Sequence, residues 1–332
     1  MGDLRGRAFL AYVIVCVVWG STFLGIRIGV AGLPPFLMAG VRFTVAGVIL
    51  AGIARLVGHR LPARRQDWIT LALVGVLLLT SGNGLVVWAE QYLDAGTASI
   101  YVVTVAIWAA CFDALMKGGT TPFTWRLAAG LLLGLAGVAP VRTAVPTSPS
   151  RRPATLLHTD FRAPAALVFA SASWAWGSVY LKRHPVKASF SMSAAVQMVI
   201  GGVALLLVGA VRGEAGVFHP TLRPMLAVAY LIVMGSIVGF TAYGYALRHA
   251  SATVVGTYAY VNPVVAVILG ALLLHEPIGA RKLVAMVIIL GAVLWIQHVV
   301  RPQAPLKVAG PGGRDQKPPV IRHHPVHSQR AG

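Results

Sequence analysis

Acidic side chains are nearly missing from this sequence: nine Asp and Glu stand among 332 residues, against 28 Lys and Arg. Charged residues of either sign reach only 11%, where a soluble domain carries about 25%, which excludes an ordinary soluble globular fold. Cysteine is as scarce. Cys16 and Cys111 are the whole supply and both lie inside apolar runs, which excludes a disulfide framework or a cysteine zinc site and leaves packing as their role. No Walker sequence, GxGxxG, HExxH or Ser/His/Asp arrangement occurs, so an ATP-driven pump, a dinucleotide enzyme and a metalloprotease have no footing. No catalytic residue, cofactor or metal is assigned. His323, His324 and His327 in the tail have nothing to position them as ligands.

What fills the chain is apolar: 57% hydrophobic residues and a mean hydropathy of +0.76, the signature of a polytopic membrane protein. The net charge of +19 comes from Lys and Arg placed between apolar runs and in the tail. That placement points to anionic lipid, not nucleic acid, as the charged partner. Arg5 and Arg7 precede an apolar run from Ala8 to Gly32, longer than the ~7–15-residue core of a secretory signal, so it reads as a first membrane helix. Hydropathy divides the chain into ten spans, near 8–32, 35–57, 68–88, 96–116, 123–141, 164–181, 190–211, 224–246, 253–274 and 283–300.

The spans fall into two groups. Trp19-Gly20-Ser21 recurs 157 residues later as Trp176-Gly177-Ser178, and the 89–95 connection keeps the same offset to 246–252. The expected organisation is a cytoplasmic N-terminus (1–7), a five-helix repeat (8–141), a connector rich in Pro, Ser, Thr and Arg (142–163), a second repeat (164–300) and a disordered basic tail (301–332). Five is odd, so the second repeat enters the membrane from the opposite side: an all-α fold of ten transmembrane helices in two inverted-topology repeats. With both termini cytoplasmic, the inner side carries twelve Lys and Arg before the tail and the outer side nine; the tail adds six within. The bias points inward.

The stretch Thr253–Leu274 concentrates the functional signals. Asn262 and Pro263 sit at its middle, where proline removes a backbone donor and crowds the carbonyl of Ala259, predicting a hinge. Tyr258 lies one turn earlier and Tyr260 on an adjacent face. Such polar groups inside hydrocarbon must face protein or a wet cavity, though a midplane Asn can equally bond a neighbouring helix. Arg42, inside the second span, costs from about 2.5 kcal/mol upward at that depth and reads as a substrate-orienting or gating group, or as a snorkelling one. Trp19, Trp88, Trp176 and Tyr243 complete the candidate cavity wall, with Trp88, Glu90 and Asp94 also fitting an interfacial belt. Asp113 can pair with Lys117 at i,i+4.

On Trp19-Gly20-Ser21-Thr22-Phe23, Val41-Arg42-Phe43, the segment 89–98, LAAGLLLGLAGV at 127–138, Trp176-Gly177-Ser178, ALRHASAT at 246–253 and YVNPVVAVILGALLLHEPIG at 260–279, the chain resembles an EamA-type member of the drug/metabolite transporter superfamily. The resemblance implies two inverted five-helix repeats around a central cavity, and export or exchange of an amino acid, metabolite or drug by alternating access in the cell membrane. Energy would come from a gradient or exchange, with the coupling ion unassigned. Val105-Ala106 stands where the second half has Asn262-Pro263, so the first half's kink is expected to be the weaker. The competing class is an integral-membrane enzyme acting on a lipid or other hydrophobic substrate, which needs titratable groups converging at one depth.

Overall fold

The computed structural model describes residues 6–115, 124–138, 161–217, 221–249, 255 and 258–299. Among them the regular structure is entirely helical. The helices are α1 (Arg7–Val30), α2 (Pro35–Leu56), α3 (Arg65–Ala89), α4 (Ala95–Leu115), α5 (Trp125–Val138), α6 (Arg162–Arg183), α7 (Phe190–Val211), α8 (222–249), α9 (Tyr258–Leu274) and α10 (Ala280–Val299). By length and composition α1 to α4, α7 and α8 can cross a membrane, while α9 and Lys282–Ala292 within α10 are shorter apolar helices. The connector and tail expected at 142–163 and 301–332 lie almost wholly outside the described residues.

Helix starts are set by local chemistry. Asp94 accepts the Thr97 N–H at 2.8 Å and caps α4, and Ser189 does the same for α7 through Met192 N at 3.3 Å. Pro35 opens α2, where its missing N–H would have had no helical partner. The N-terminus of α2 is completed from far away: Glu214 accepts from Phe36 N at 3.0 Å and Leu37 N at 2.9 Å, a carboxylate on the positive end of a helix.

The main packing seam joins α2 to α7. It is close because glycines line it: a Cβ at Gly47 would fall 2.8 Å from the Val199 nitrogen and 2.9 Å from the Ala195 oxygen, so only a bare backbone allows the approach. Further contacts pair α1 with α9, α6 with α4, α1 with α8, α6 with α3, and α5 with α10. Exchanging each helix for the one five places on maps this set onto itself. Both principal cores accordingly draw on the two halves, with Leu93, Ile100 and Leu167 in one and Phe43, Met198 and Leu205 in the other.

Two features depart from uniform helix, and they recur. α3 passes through a π segment at Val76–Asn83 and α8 through one at Leu231–Val238. Each offers a carbonyl to the first helix of the other group: Ser173 Oγ of α6 donates to Leu77 O at 2.8 Å, and Trp19 Nε1 of α1 donates to Gly235 O at 3.1 Å. π turns of this kind are frequent at functional sites.

The two halves differ at the corresponding helices α4 and α9. Helix α9 runs unbroken from Tyr258 to Leu274 through Pro263, whereas α4, without proline, is interrupted at Val103 and Thr104. There Thr104 N bonds Tyr101 O at 3.1 Å and Ala106 N bonds Val103 O at 3.1 Å, three-residue steps that tighten the backbone. Thr104 Oγ1 adds a second donor to Tyr101 O at 2.7 Å, and a hydroxyl returning to its own helix bends it.

Candidate functional site: a central cavity and a buried ionic cluster

Between α1, α2, α3, α4, α6, α8 and α9 lies a cavity of ≈ 110 Å³, room for several waters. Its wall is mainly apolar, with Phe23, Ile26, Leu79, Val86 and Val102 among the lining side chains. Polar groups enter at a few points. Arg42, 3% exposed, donates its Nε to Ser236 Oγ at 3.2 Å and lies 4.6 Å from the Phe43 ring centroid. Its Nη1 has no hydrogen-bond partner among the described residues, and neither has Asn83 Oδ1, another buried atom of the wall. One is a cationic donor and the other a neutral acceptor.

Of the residues expected at the wall, Trp19, Arg42, Tyr258 and Asn262 line the cavity. Trp19 stands at the centre of an aromatic box, its ring 5.3 Å from Phe240, 5.1 Å from Tyr243 and 4.8 Å from Tyr258. Tyr243 therefore backs the wall without lining it. With the Asn262 amide turned so that its nitrogen faces acceptors, it donates to Tyr258 O at 3.1 Å and to Cys16 O at 3.2 Å, linking α9 to α1.

Three expected residues stand elsewhere. Trp176 is 38% exposed with its ring edge on Phe112 at 5.2 Å, and Trp174, two residues earlier, takes the place on the wall. The reason is helical phase: a step of two turns a side chain to a different face. Trp88 is half-buried between the two cores, 5.1 Å from Tyr92. Tyr260 packs against the α4 and α6 core. Pro263 is buried within α9.

At one end of the bundle the α3–α4 and α9–α10 connections meet the last turns of α1 in a buried ionic cluster. Arg27 donates Nη1 to Glu90 O at 2.5 Å and its Nε lies 3.9 Å from Glu276 Oε1, which also accepts from Ala95 N at 3.1 Å. Lys282 Nζ reaches Asp94 Oδ1 at 2.7 Å and Pro277 O at 3.2 Å. Glu90 is fully buried, and neither carboxylate oxygen has a partner among the described residues. Burial pushes the Glu90 carboxyl well above the usual carboxylate range, and Glu276 and Asp94 add to it against Arg27 and Arg42. Glu276 is raised as well, first by burial and then by Asp94. At the opposite end of α6, Arg183 meets Asp113 at 3.5 Å; the expected partner Lys117 lies outside the described residues. His249 is exposed and rests on Tyr245.

The model of the EamA-like transporter family matches residues 6–143 and again 162–297. The chain belongs to that family. The EamA-like transporter is 38% identical over 294 residues to the uncharacterized inner membrane transporter YedA of Escherichia coli K12, covering 88% of this chain and 90% of the relative. It is 26% identical over 300 residues to the uncharacterized transporter YvbV of Bacillus subtilis (88% and 92%). A probable terminal-alkyne amino-acid exporter of Streptantibioticus cattleyicolor is 27% identical over 271 residues (81% and 86%). A protein of known crystal structure shares the fold, with a TM-score of 0.59 at 17% identity over 90% of this chain and 98% of that one. The chain is thus a multi-pass transporter of the cell membrane.

Sequence reading of this EamA-like transporter missed Trp174, Asn83 and the ionic cluster. Arg27 and Lys282 were counted among the outer loop charges, yet both are buried. The available signal was the coincidence of scarce acids with those two bases at one expected depth: Glu90, Asp94 and Glu276 are three of only nine.

Proposed function

We propose that this chain is a secondary transporter, exporting a small amphipathic metabolite by alternating access, built as ten transmembrane helices in two inverted five-helix repeats with both termini cytoplasmic. The exchange symmetry of the helix contacts and the paired π segments support the repeat, and five helices per half would invert it. In this reading residues 8–141 and 164–300 are the repeats, and rocking one against the other moves the opening of the cavity from one membrane face to the other.

The observation that carries the substrate reading is the unpartnered Arg42 Nη1 inside a buried, mostly apolar cavity. A guanidinium so placed binds a carboxylate or similar anion strongly. Asn83 Oδ1 on the same wall would accept from an ammonium or amide group, and the aromatic box around Trp19 would hold an apolar body. An apolar amino acid meets all three requirements, and a relative's name as an amino-acid exporter is consistent with it. Tyr258 and Asn262 complete the wall, with Tyr243 behind them, and Pro263 serves as the hinge.

The test is counterflow in proteoliposomes holding the full chain, with radiolabelled apolar amino acids, a sugar and a cationic dye as probes. Saturable uptake of at least one apolar amino acid is expected, with apparent affinity falling about ten- to hundredfold in Arg42→Ala, the worth of one charge-assisted hydrogen bond. Saturable flux for none of the probes overturns the reading.

A further inference from the structure

The ionic cluster holds three acids, Glu90, Asp94 and Glu276, against two bases, Arg27 and Lys282. Each base is committed. Lys282 is spent on Asp94 and on the Pro277 carbonyl, and Arg27 on the main-chain oxygen of Glu90 and on Glu276. Glu276 in turn accepts the Ala95 N–H. The carboxyl of Glu90 is left over: fully buried, with both oxygens unpartnered among the described residues. A carboxylate does not stay ionised there without a counter-ion, because desolvating an unpaired charge strongly favours its neutral form. It does not face an apolar wall alone. The charged groups within reach are Arg27 from α1, Arg42 from α2, Asp94 from its own connection and Glu276 from the α9–α10 turn, with Lys282 of α10 behind Asp94.

We propose that Glu90 is a proton-carrying site of the transporter, holding a proton as a neutral carboxylic acid in the closed arrangement and releasing it to water when the α3–α4 connection separates from α1 and the α9–α10 turn. The step is a plain acid dissociation: the O–H bond breaks, the electron pair stays on the carboxylate, and the proton passes to solvent. Arg27, freed from Glu276 by the same separation, becomes available as counter-ion. Arg42 also acts on Glu90 electrostatically, so an anion bound at Arg42 offsets part of that cationic influence. Binding an anionic substrate therefore favours the protonated form. This rests on the transport reading for its use, but not for its detection.

The chain has three glutamates, Glu90, Glu214 and Glu276, which makes the site visible by infrared spectroscopy. The full-length protein, reconstituted in lipid without substrate, is titrated while the C=O stretch of protonated carboxyl groups is followed, once unlabelled and once with ¹³C-glutamate. A glutamate-shifted carboxylic-acid band is expected at neutral pH and disappears only on the alkaline side. It is lost in Glu90→Gln and retained in Glu276→Gln. A spectrum with no protonated glutamate at neutral pH overturns the proposal, as does a band that survives Glu90→Gln. Should Glu90→Gln fail to fold, the labelled wild type with Glu276→Gln decides: a band lost with Glu276 contradicts the assignment to Glu90, and a band that remains supports it, since Glu214 is already bonded to Phe36 and Leu37. A protein that moves no amino acid can still pass or fail this test, so the two readings fail separately.

Discussion

Glu90 and Asn262 illustrate how far a side chain's role follows from its neighbours. Asn262 stands beside Pro263 at the middle of an apolar run, and polarity at that depth was enough to mark it; that its amide nitrogen bridges Tyr258 and Cys16 depends on α1 lying alongside. Glu90 sits one residue beyond α3 and read as interfacial because nothing local shows that α1, α9 and α10 converge over it. Its burial has a consequence for stability. The folded protein holds the Glu90 proton more tightly than the unfolded chain does, so the stability Glu90 contributes is fully present below the ordinary glutamate value of about 4.3 and is lost as pH rises from there toward the raised folded value. Thermal unfolding of the purified protein should show this decline, and Glu90→Gln should flatten it and melt higher than wild type on the alkaline side. A difference between wild type and Glu90→Gln that does not change with pH across that window contradicts the burial argument. Lys282→Ala leaves the Asp94 carboxylate buried without its partner and should destabilise by about 3–5 kcal/mol, read in the same unfolding experiment.

Helices were legible where apolar length defines them, and their interruptions were not. Pro263 removes one donor within α9, which stays helical from Tyr258 to Leu274, while α4 breaks at Val103–Thr104, where a threonine hydroxyl bonds a backbone carbonyl. The π segments of α3 and α8 were invisible for a similar reason: a register change inside a helix needs a partner, and the partners are Ser173 and Trp19 on other helices. Close helix packing depends on small residues at the contact. The α2–α7 seam gives a direct check, since Gly47→Leu would drive a side chain into the α7 backbone and should cost about 1–3 kcal/mol or more. Gly52→Ala on the same helix meets nothing within 4 Å and should be neutral to slightly stabilising. Equal melting temperatures for the two variants would mean that α2 and α7 do not pack this closely.

At the scale of the whole molecule, the apolar runs and the Trp-Gly-Ser pair 157 residues apart need no side-chain detail, and the family model matches twice along the chain. What that level hid was the phase of each helix, which puts Trp174 on the cavity and Trp176 outside it, and the closing of one end by four buried charges, Arg27, Glu90, Asp94 and Lys282, beside the half-buried Glu276. A sealed end and a central cavity are the parts an alternating-access carrier requires: the Arg27, Glu90, Asp94, Glu276 and Lys282 cluster must open when the cavity turns toward that face. The most direct measurement is thiol accessibility in sealed vesicles of both orientations. With Cys16 and Cys111 replaced by serine, a single cysteine is placed at the cavity residue Ser171 and challenged with a membrane-impermeant thiol reagent from each side in turn. The account predicts labelling from both sides, with Lys282→Ala raising the rate from the cluster side as the seal weakens. Labelling from neither side, or from one side only in wild type and variant alike, contradicts it.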